Sequence, residues 1–382
     1  MFDINSTISK QYSEYANTGP LEITKGEGAY LFSSKGEKYL DCGMALGSVL
    51  LGYSNKKINK EVVIALEKGV NFSRPSVYER EFYNKMGDLL NKEVSGKISK
   101  SSSMLLATIP RVCRALTGRK YILTQSEGAF LGNVDWFHST SKNSLGVIEE
   151  NTITFKHGCI SDLRKTFEKY KNKIACVIIE PYRVKKFSQE YYKELRFLCD
   201  LNNCFLVYDE TLAAFRFYSN IFEDIGGISA DFTIIGKSIA NGFPLACVIG
   251  KRDLFKSIDF KKGLFGFSNT HAGESTSLAA SIATMEIIKN ELDYTEYYNK
   301  NNLLKRKMLG LFHKYRIQLS VIGNDGYFWI TGDEKLRVKM IKYMNNNNIL
   351  FRGTFGLSFS HTMADYNSIL EHVYEFCVGE QL

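Results

Sequence analysis

Asp209 and Lys237 each stand where an apolar, strand-like run gives way to polar sequence. Asp209 closes Phe205-Leu206-Val207-Tyr208, and Lys237 follows Phe232-Thr233-Ile234-Ile235-Gly236. A lysine amine delivered by a strand is the group that condenses with an aldehyde. A carboxylate held in place keeps a pyridine nitrogen protonated, so that the ring draws electrons. Pyridoxal phosphate (PLP) is the cofactor whose chemistry needs both. The plain alternatives are a surface lysine in a turn and an aspartate acting as a helix N-cap. The apolar strand before Lys237 and the glycine-containing loop after it favour the chemical reading.

The elements that must hold this pair alternate along the middle of the chain. Tyr121–Leu123, Ala175–Ile179, Phe205–Tyr208, Thr233–Ile235 and Ala246–Ile249 are short, apolar and largely β-branched. Such runs predict strands buried on both faces of a mainly parallel sheet. Between them, Leu195, Leu198 and Cys199 fall at helical spacing in Tyr192–Asn202. Alternation of this kind predicts an α/β fold whose ligands gather at the carboxyl ends of the strands, where Asp209 sits. At the N-terminal flank, Gly28–Phe32 and Lys38–Asp41 predict a hairpin about Ser34-Lys35-Gly36, and Asn345–Asn348 predicts a loop. From residue 290 onward the pattern is of charged helices and short strands.

At 382 residues the chain exceeds one ordinary core, which predicts a large domain and a smaller one. The formal charge of +8 is spread among acids, as in Glu168-Lys169-Tyr170-Lys171, so a solvated surface is expected and not a nucleic-acid stripe. The six histidines lack metal-ligand spacing, so no metal site is expected. Eight cysteines without a CxxC pair read as reduced core thiols of a cytoplasmic protein. The N-terminus shows no basic-then-apolar leader, and no apolar run is long enough to cross a bilayer.

Six segments, in order, resemble the class III, fold-type I, PLP-dependent aminotransferases, above all the glutamate-1-semialdehyde aminotransferase group. They are the Gly28–Asp41 hairpin, Leu50-Leu51-Gly52-Tyr53, Asn71–Ser76, Arg114–Arg119, Asp209–Arg216 and Gly236–Leu245. Asn71-Phe72-Ser73-Arg74-Pro75-Ser76 is similar to a segment of the branch associated with surface-glycan pathways. The resemblance implies a large domain at 51–289, with a mainly parallel sheet between helices, and a small α+β domain from 1–50 and 290–382. It implies PLP bound through Lys237, which also carries the proton between substrate and cofactor, and Asp209 paired with the ring nitrogen. Phe130 takes the place of the aromatic on the ring face. Ser101, Ser102 and Ser103 take the place of the phosphate-binding loop before a helix, with Thr211 a further cofactor contact. Thr270 takes the place of a threonine that reaches the neighbouring subunit's phosphate, implying a homodimer with shared sites.

The departures lie mainly around the phosphate and ring face. Met104 replaces an acidic residue, Ser102 a glycine, Phe130-Leu131 a Tyr-His, and Thr211 and Ala214 depart within the Asp209 segment. Pro110 is expected to interrupt the helix after the serines. Asn5–Lys10 lacks the arginine that holds a distal carboxylate in the aminomutases, leaving Lys10 and Arg74 as candidate anion-binding residues. The expectation is an aminotransferase moving an amino group from an amino acid, glutamate foremost, to a small or carbohydrate-like carbonyl acceptor. The alternatives are a glutamate-1-semialdehyde 2,1-aminomutase and a PLP-binding protein without turnover.

Overall fold

A computed structural model describes residues 22–127, 129–140, 146–147, 151–257 and 268–381. The chain divides into two compact units, one formed by the described residues up to Asn59 with those from Leu292 onward, the other by Lys60–Glu291.

In the first unit, strands β1 (Ile23–Glu27), β2 (Tyr30–Ser33) and β3 (Lys38–Asp41) form an antiparallel meander, with Ser34–Gly36 in the β2–β3 turn as expected.

The second unit holds a seven-stranded sheet of β4 (Ser95–Ser99), β5 (Tyr121–Gln125), β6 (Thr152–Phe155), β7 (Ile174–Ile179), β8 (Phe205–Asp209), β9 (Phe232–Ile235) and β10 (Ala246–Gly250). The order is β4-β10-β9-β8-β7-β5-β6. The pairs from β9 through β8, β7 and β5 to β6 are all parallel. β10 runs antiparallel to both β9 and β4, which makes β4 parallel to the central strands. The carboxyl ends of β4, β9, β8, β7 and β5 therefore share one edge. All six residues of β7 are buried, as its unbroken apolar run requires.

The helix Ser102–Thr117 leaves β4 at that edge and packs Leu105, Leu106, Ile109, Val112 and Cys113 into the same core as Ile122, Ile178, Val207 and Ile234. It corrects the expectation for Pro110, because the helix runs through the proline. Pro110 has no N–H to give the carbonyl of Leu106 four residues earlier. The indole N–H of Trp136 donates to that carbonyl instead, at 2.7 Å.

The C-terminal part of the first unit completes its two sheets. β11 (Leu319–Gly323), β12 (Phe328–Gly332) and β14 (Thr354–Phe355) form one of them, while β13 (Ile349–Leu350) pairs in parallel with β3, so both flanks of the chain share a sheet. Leu40, Leu304, Met308, Phe312, Phe328 and Ile369 lie in its core. The asparagine run is only partly a loop. The helix Glu334–Asn346 extends into it, and buried Asn345 accepts the Phe351 N–H at 2.8 Å.

Candidate active site

Four polar residues stand at the ends of four consecutive strands: Gln125 ends β5, Glu180 follows β7, Asp209 ends β8, and Lys237 follows β9 after one glycine. The register pairs Ile179 with Tyr208, so Glu180 stands beside Asp209, while Lys237 lies three residues beyond Ile234, the register partner of Asp209, and interacts electrostatically with both carboxylates. The Gln125 side-chain oxygen accepts the Glu180 N–H at 2.8 Å. Parallel strands lie about 4.8 Å apart, and such a row concentrates charge in a small volume.

Asp209 is 3% exposed, and one carboxylate oxygen accepts both the backbone N–H of Thr211, at 3.0 Å, and its hydroxyl. Burial raises the Asp209 pKa, opposed by the Thr211 hydrogen bonds and then by the positive charges of Lys237 and Arg183. A bound cation beside it would replace the water that burial removed.

Lys237 is held with φ at +45°, a left-handed conformation that non-glycine residues rarely adopt, and it opens a short 3-10 turn to Ala240. Strain of this kind persists where the surroundings fix it, and it clusters at functional sites. The residue keeps partial exposure, yet its surroundings withdraw the amine from water. Burial lowers its pKa to about 8, Glu180 and Asp209 push it back up, and Arg183 and Arg216 push it down. An amine that holds its proton less tightly than an ordinary lysine is the readier nucleophile.

The three serines divide the work at the helix start. Ser101 is the N-cap, its oxygen accepting the Met104 N–H at 3.4 Å. The oxygen of Ser103 accepts the Asn133 N–H at 3.2 Å and so ties down the loop that carries Phe130. Ser102 faces the lysine loop: a Cβ on Gly236 would lie 2.5 Å from its Oγ and 3.2 Å from Thr211 Cγ2. Gly236 thus keeps open a cradle between Ser102, Thr211 and the start of the Lys237 turn. With a helix N-terminus behind it, this cradle suits a phosphate.

Glu180, Arg183 and Gln125 are site residues that the sequence reading did not single out. Glu180 accepts the Phe130 N–H at 3.1 Å, which draws the Phe130 loop to the strand ends; the Phe130 ring is itself 56% exposed. Burial raises the Glu180 pKa to about 7, with Arg183 lowering it and Asp209 raising it. The signal available was positional, since Glu180 follows an apolar run as Asp209 ends one.

Thr270 and Arg74 lie on exposed loops. Thr270 is tied to the Arg74 loop, its carbonyl accepting the Asn71 side-chain amide at 3.0 Å. Among the described residues no hydrogen bond or ion pair joins either to Lys237 or Asp209. Lys10 and the Asn5–Lys10 stretch lie outside the described residues.

The residues fit PLP: an amine whose pKa burial lowers to about 8, a buried carboxylate near it, and a cradle that presents the Ser102 hydroxyl at a helix N-terminus. Comparison with known proteins agrees. The family model of class-III aminotransferases matches residues 12–354. The FumI protein of Sphingopyxis sp. MTA144, solved in its PLP internal aldimine form, superposes with a TM-score of 0.88 at 19% identity, covering 98% of this chain and 94% of that one. An omega-transaminase from Sphaerobacter thermophilus superposes at 0.88 with 16% identity, covering 99% and 96%. A glutamate-1-semialdehyde aminomutase from Pseudomonas aeruginosa PAO1 superposes at 0.83 with 17% identity, covering 94% and 88%. The chain belongs to the class-III aminotransferases and is a PLP-dependent enzyme.

Proposed function

We propose that this aminotransferase moves an amino group from an amino acid, glutamate foremost, to a small or carbohydrate-like carbonyl acceptor of surface-polysaccharide synthesis. The observation that carries the chemistry is the placing of Asp209 and Lys237 at the carboxyl ends of the adjoining parallel strands β8 and β9, with Ser102 and Thr211 about Gly236. The acceptor class rests on the Asn71–Ser76 resemblance.

When bound, PLP supplies an electron-drawing ring that stabilises negative charge at the substrate α-carbon. Lys237 Nζ holds the cofactor and then, released, moves the proton between that carbon and the cofactor's C4′. Asp209 keeps the proton on the pyridine nitrogen, a task for which a charged, buried carboxylate is suited. Phe130 covers the ring face and keeps water from it. Ser102 holds the phosphate at the helix start, with Ser101 and Ser103 shaping the loop, while Thr211 steadies the Asp209 carboxylate through its hydroxyl and N–H.

In this proposal the working unit is a homodimer in the cytoplasm, with Thr270 serving the partner's site. Val63, Leu66, Val70, Phe72 and Val77 are exposed along one stretch of chain, and Met104 and Phe130 are exposed beside the site. Apolar exposure on this scale suits a covering subunit. Among the described residues no helix is long and apolar enough to cross a membrane.

The test is to add L-glutamate alone to the PLP-loaded protein. The bound cofactor's absorbance should change and 2-oxoglutarate should appear, while Lys237→Ala should show neither. Efficient conversion of glutamate-1-semialdehyde to 5-aminolevulinate with no donor would favour the mutase instead.

A further inference from the structure

β11 is an open sheet edge. Among the described residues it pairs with β12 alone, in the order β11-β12-β14. Two bonds at the ends of this hairpin fix which residues face outward. The Asp333 N–H donates to the Gln318 carbonyl at 2.8 Å, and the Asn324 N–H donates to the Tyr327 carbonyl at 3.1 Å. Hydrogen-bonded and non-hydrogen-bonded pairs alternate along antiparallel strands, so Gln318, Ser320, Ile322 and Asn324 turn their backbone groups to β12. Leu319, Val321 and Gly323 turn theirs away. The Gly323 carbonyl accordingly accepts from Lys305 Nζ, outside the hairpin, at 3.4 Å.

A bare edge is a template for a further strand, and charge, proline or a bulge usually blunts it. β1, at one edge of the other sheet in this unit, has such protection. Lys25 and Glu27 lie on it, and its register shifts between Ile23 and Lys25. β11 reads Leu-Ser-Val-Ile-Gly, with neither charge nor proline, and its register with β12 is unbroken.

Positive charge lies beside this edge. From Tyr297 to Asn324 the chain has six lysines and arginines, one histidine and no acid. The helix Tyr294–Lys314 packs on β11, and its Asn302 and Lys305 reach Asp325 just past the strand, at 3.4 and 2.6 Å. One flank of the helix therefore faces the edge. Arg306, Leu309 and His313 continue that flank at helical spacing, and Arg316 follows in the connection to β11. All four are exposed. Among the described residues Arg306, Lys307, Lys314 and Arg316 enter no ion pair. The acids at the strand's two ends are already engaged, Asp325 with Lys305 and Asp333 as the cap of the helix Glu334–Asn346. On the sheet face away from the core, Ile322 is 37% exposed and pairs with Trp329.

We propose that β11 is the docking edge for an extended, acidic segment of another protein, which adds to this sheet as a fourth strand. The backbone groups of Leu319 and Val321 supply the ladder. Alternate side chains of the guest face opposite ways, acids toward Arg306, His313 and Arg316, apolar groups toward Ile322 and Trp329. A nucleic acid offers the charge but no row of N–H and C=O groups to match the strand, so the observations favour a peptide.

The probe is a capped, labelled peptide of alternating glutamate and valine, titrated into the PLP-loaded full chain by fluorescence anisotropy. It should bind, more weakly as salt rises. Arg306→Glu combined with Arg316→Glu should weaken it about tenfold or more, since attraction becomes repulsion. Val321→Pro deletes an outward N–H and spares the β12 ladder, the placement in which edge strands tolerate proline, and should cost about tenfold. Two further peptides are N-methylated at every second residue, in opposite phases. Successive residues turn their N–H groups to opposite sides, so just one phase should abolish binding. This arm uses the unaltered protein and decides the matter if Val321→Pro fails to fold. Exchange of the Leu319 and Val321 amides should be fast in the protein alone and slow with peptide bound.

No binding at about 1 mM peptide would overturn the proposal. So would equal behaviour of the two N-methylated phases, or tighter capture of an oligonucleotide of equal charge, either of which means attraction to any polyanion. Slow exchange at Leu319 and Val321 before peptide is added would also overturn it, by showing that a second copy of the chain already covers the edge.

Discussion

Trp136 donates its indole N–H to the backbone carbonyl of Leu106, replacing the helical hydrogen bond that Pro110 cannot make. Trp136 is buried, and so is Leu106. Trp136→Phe keeps the aromatic bulk and leaves that carbonyl without a partner, a loss of about 1–3 kcal/mol. Pro110→Ala restores a backbone N–H at the same place. The double variant should therefore recover part of what Trp136→Phe loses, in a urea-denaturation cycle. Purely additive losses would show that Trp136 acts through packing alone.

Gly236 separates Ser102 from Thr211, and its φ of −156° is open to any residue, so the consequence of Gly236→Ala is steric. A methyl group 2.5 Å from Ser102 Oγ must displace that side chain. PLP affinity, followed by absorbance titration, should fall about tenfold or more, the scale of one lost charged hydrogen bond. Ser102→Ala in the same chain removes the clashing atom and should soften the effect. An unchanged affinity in Gly236→Ala would place the phosphate elsewhere.

The sheet's inner strands were legible in the sequence because burial on both faces demands an unbroken apolar run, as in β7. β4 and β6 escaped notice because they lie at the sheet edges, where Ser95–Ser99 and Thr152–Phe155 are mixed in exposure and in sequence. The positions of Asp209 and Lys237 were legible for the same reason as the strands that end at them. Glu180 was not, since its place beside Asp209 depends on β7 lying next to β8, and strand order does not follow chain order here. The course of the helix through Pro110 was hidden too, because the partner that rescues it lies 30 residues away.

Glu180 and Glu210 give the apoprotein a pH-dependent stability. Burial raises their pKa values to about 7 and about 8, from an ordinary 4.5. Each therefore contributes stability that is complete below about 4.5 and lost as pH rises through the folded value. His157 opposes this at lower pH, because burial depresses it to about 4 and its contribution grows as pH rises from there to 6.5. Above about 8, Lys237 also favours the folded state increasingly as pH rises toward its ordinary 10.5. The melting temperature should thus fall between about 6.5 and 8. Glu210→Gln should flatten the upper part of that fall, and an unaltered slope would mean that Glu210 is ionised throughout.

Asp209→Asn keeps the shape of the side chain and removes the charge that holds a pyridine proton. The transamination rate should fall on the order of 10²-fold or more, about 2.7 kcal/mol of barrier. The Thr211 contacts to Asp209 Oδ1 persist if the amide presents its oxygen there, so the fold should remain. A loss below about tenfold with PLP still bound would assign the proton to another group.

Thr270 gives the last test, because its exposed loop makes no described contact with its own chain's Lys237. If it serves the partner's site, mixing Lys237→Ala chains with Thr270→Val chains produces unequal sites. In the mixed dimer, the site built on the Lys237→Ala chain also receives Val at position 270 and is dead. The other site has its own lysine and an intact Thr270 from the partner, so it works. Activity should therefore return on subunit exchange, above the average of the two parent variants. If exchange is confirmed by mass and activity stays at that average, Thr270 acts within its own subunit or outside the chemistry.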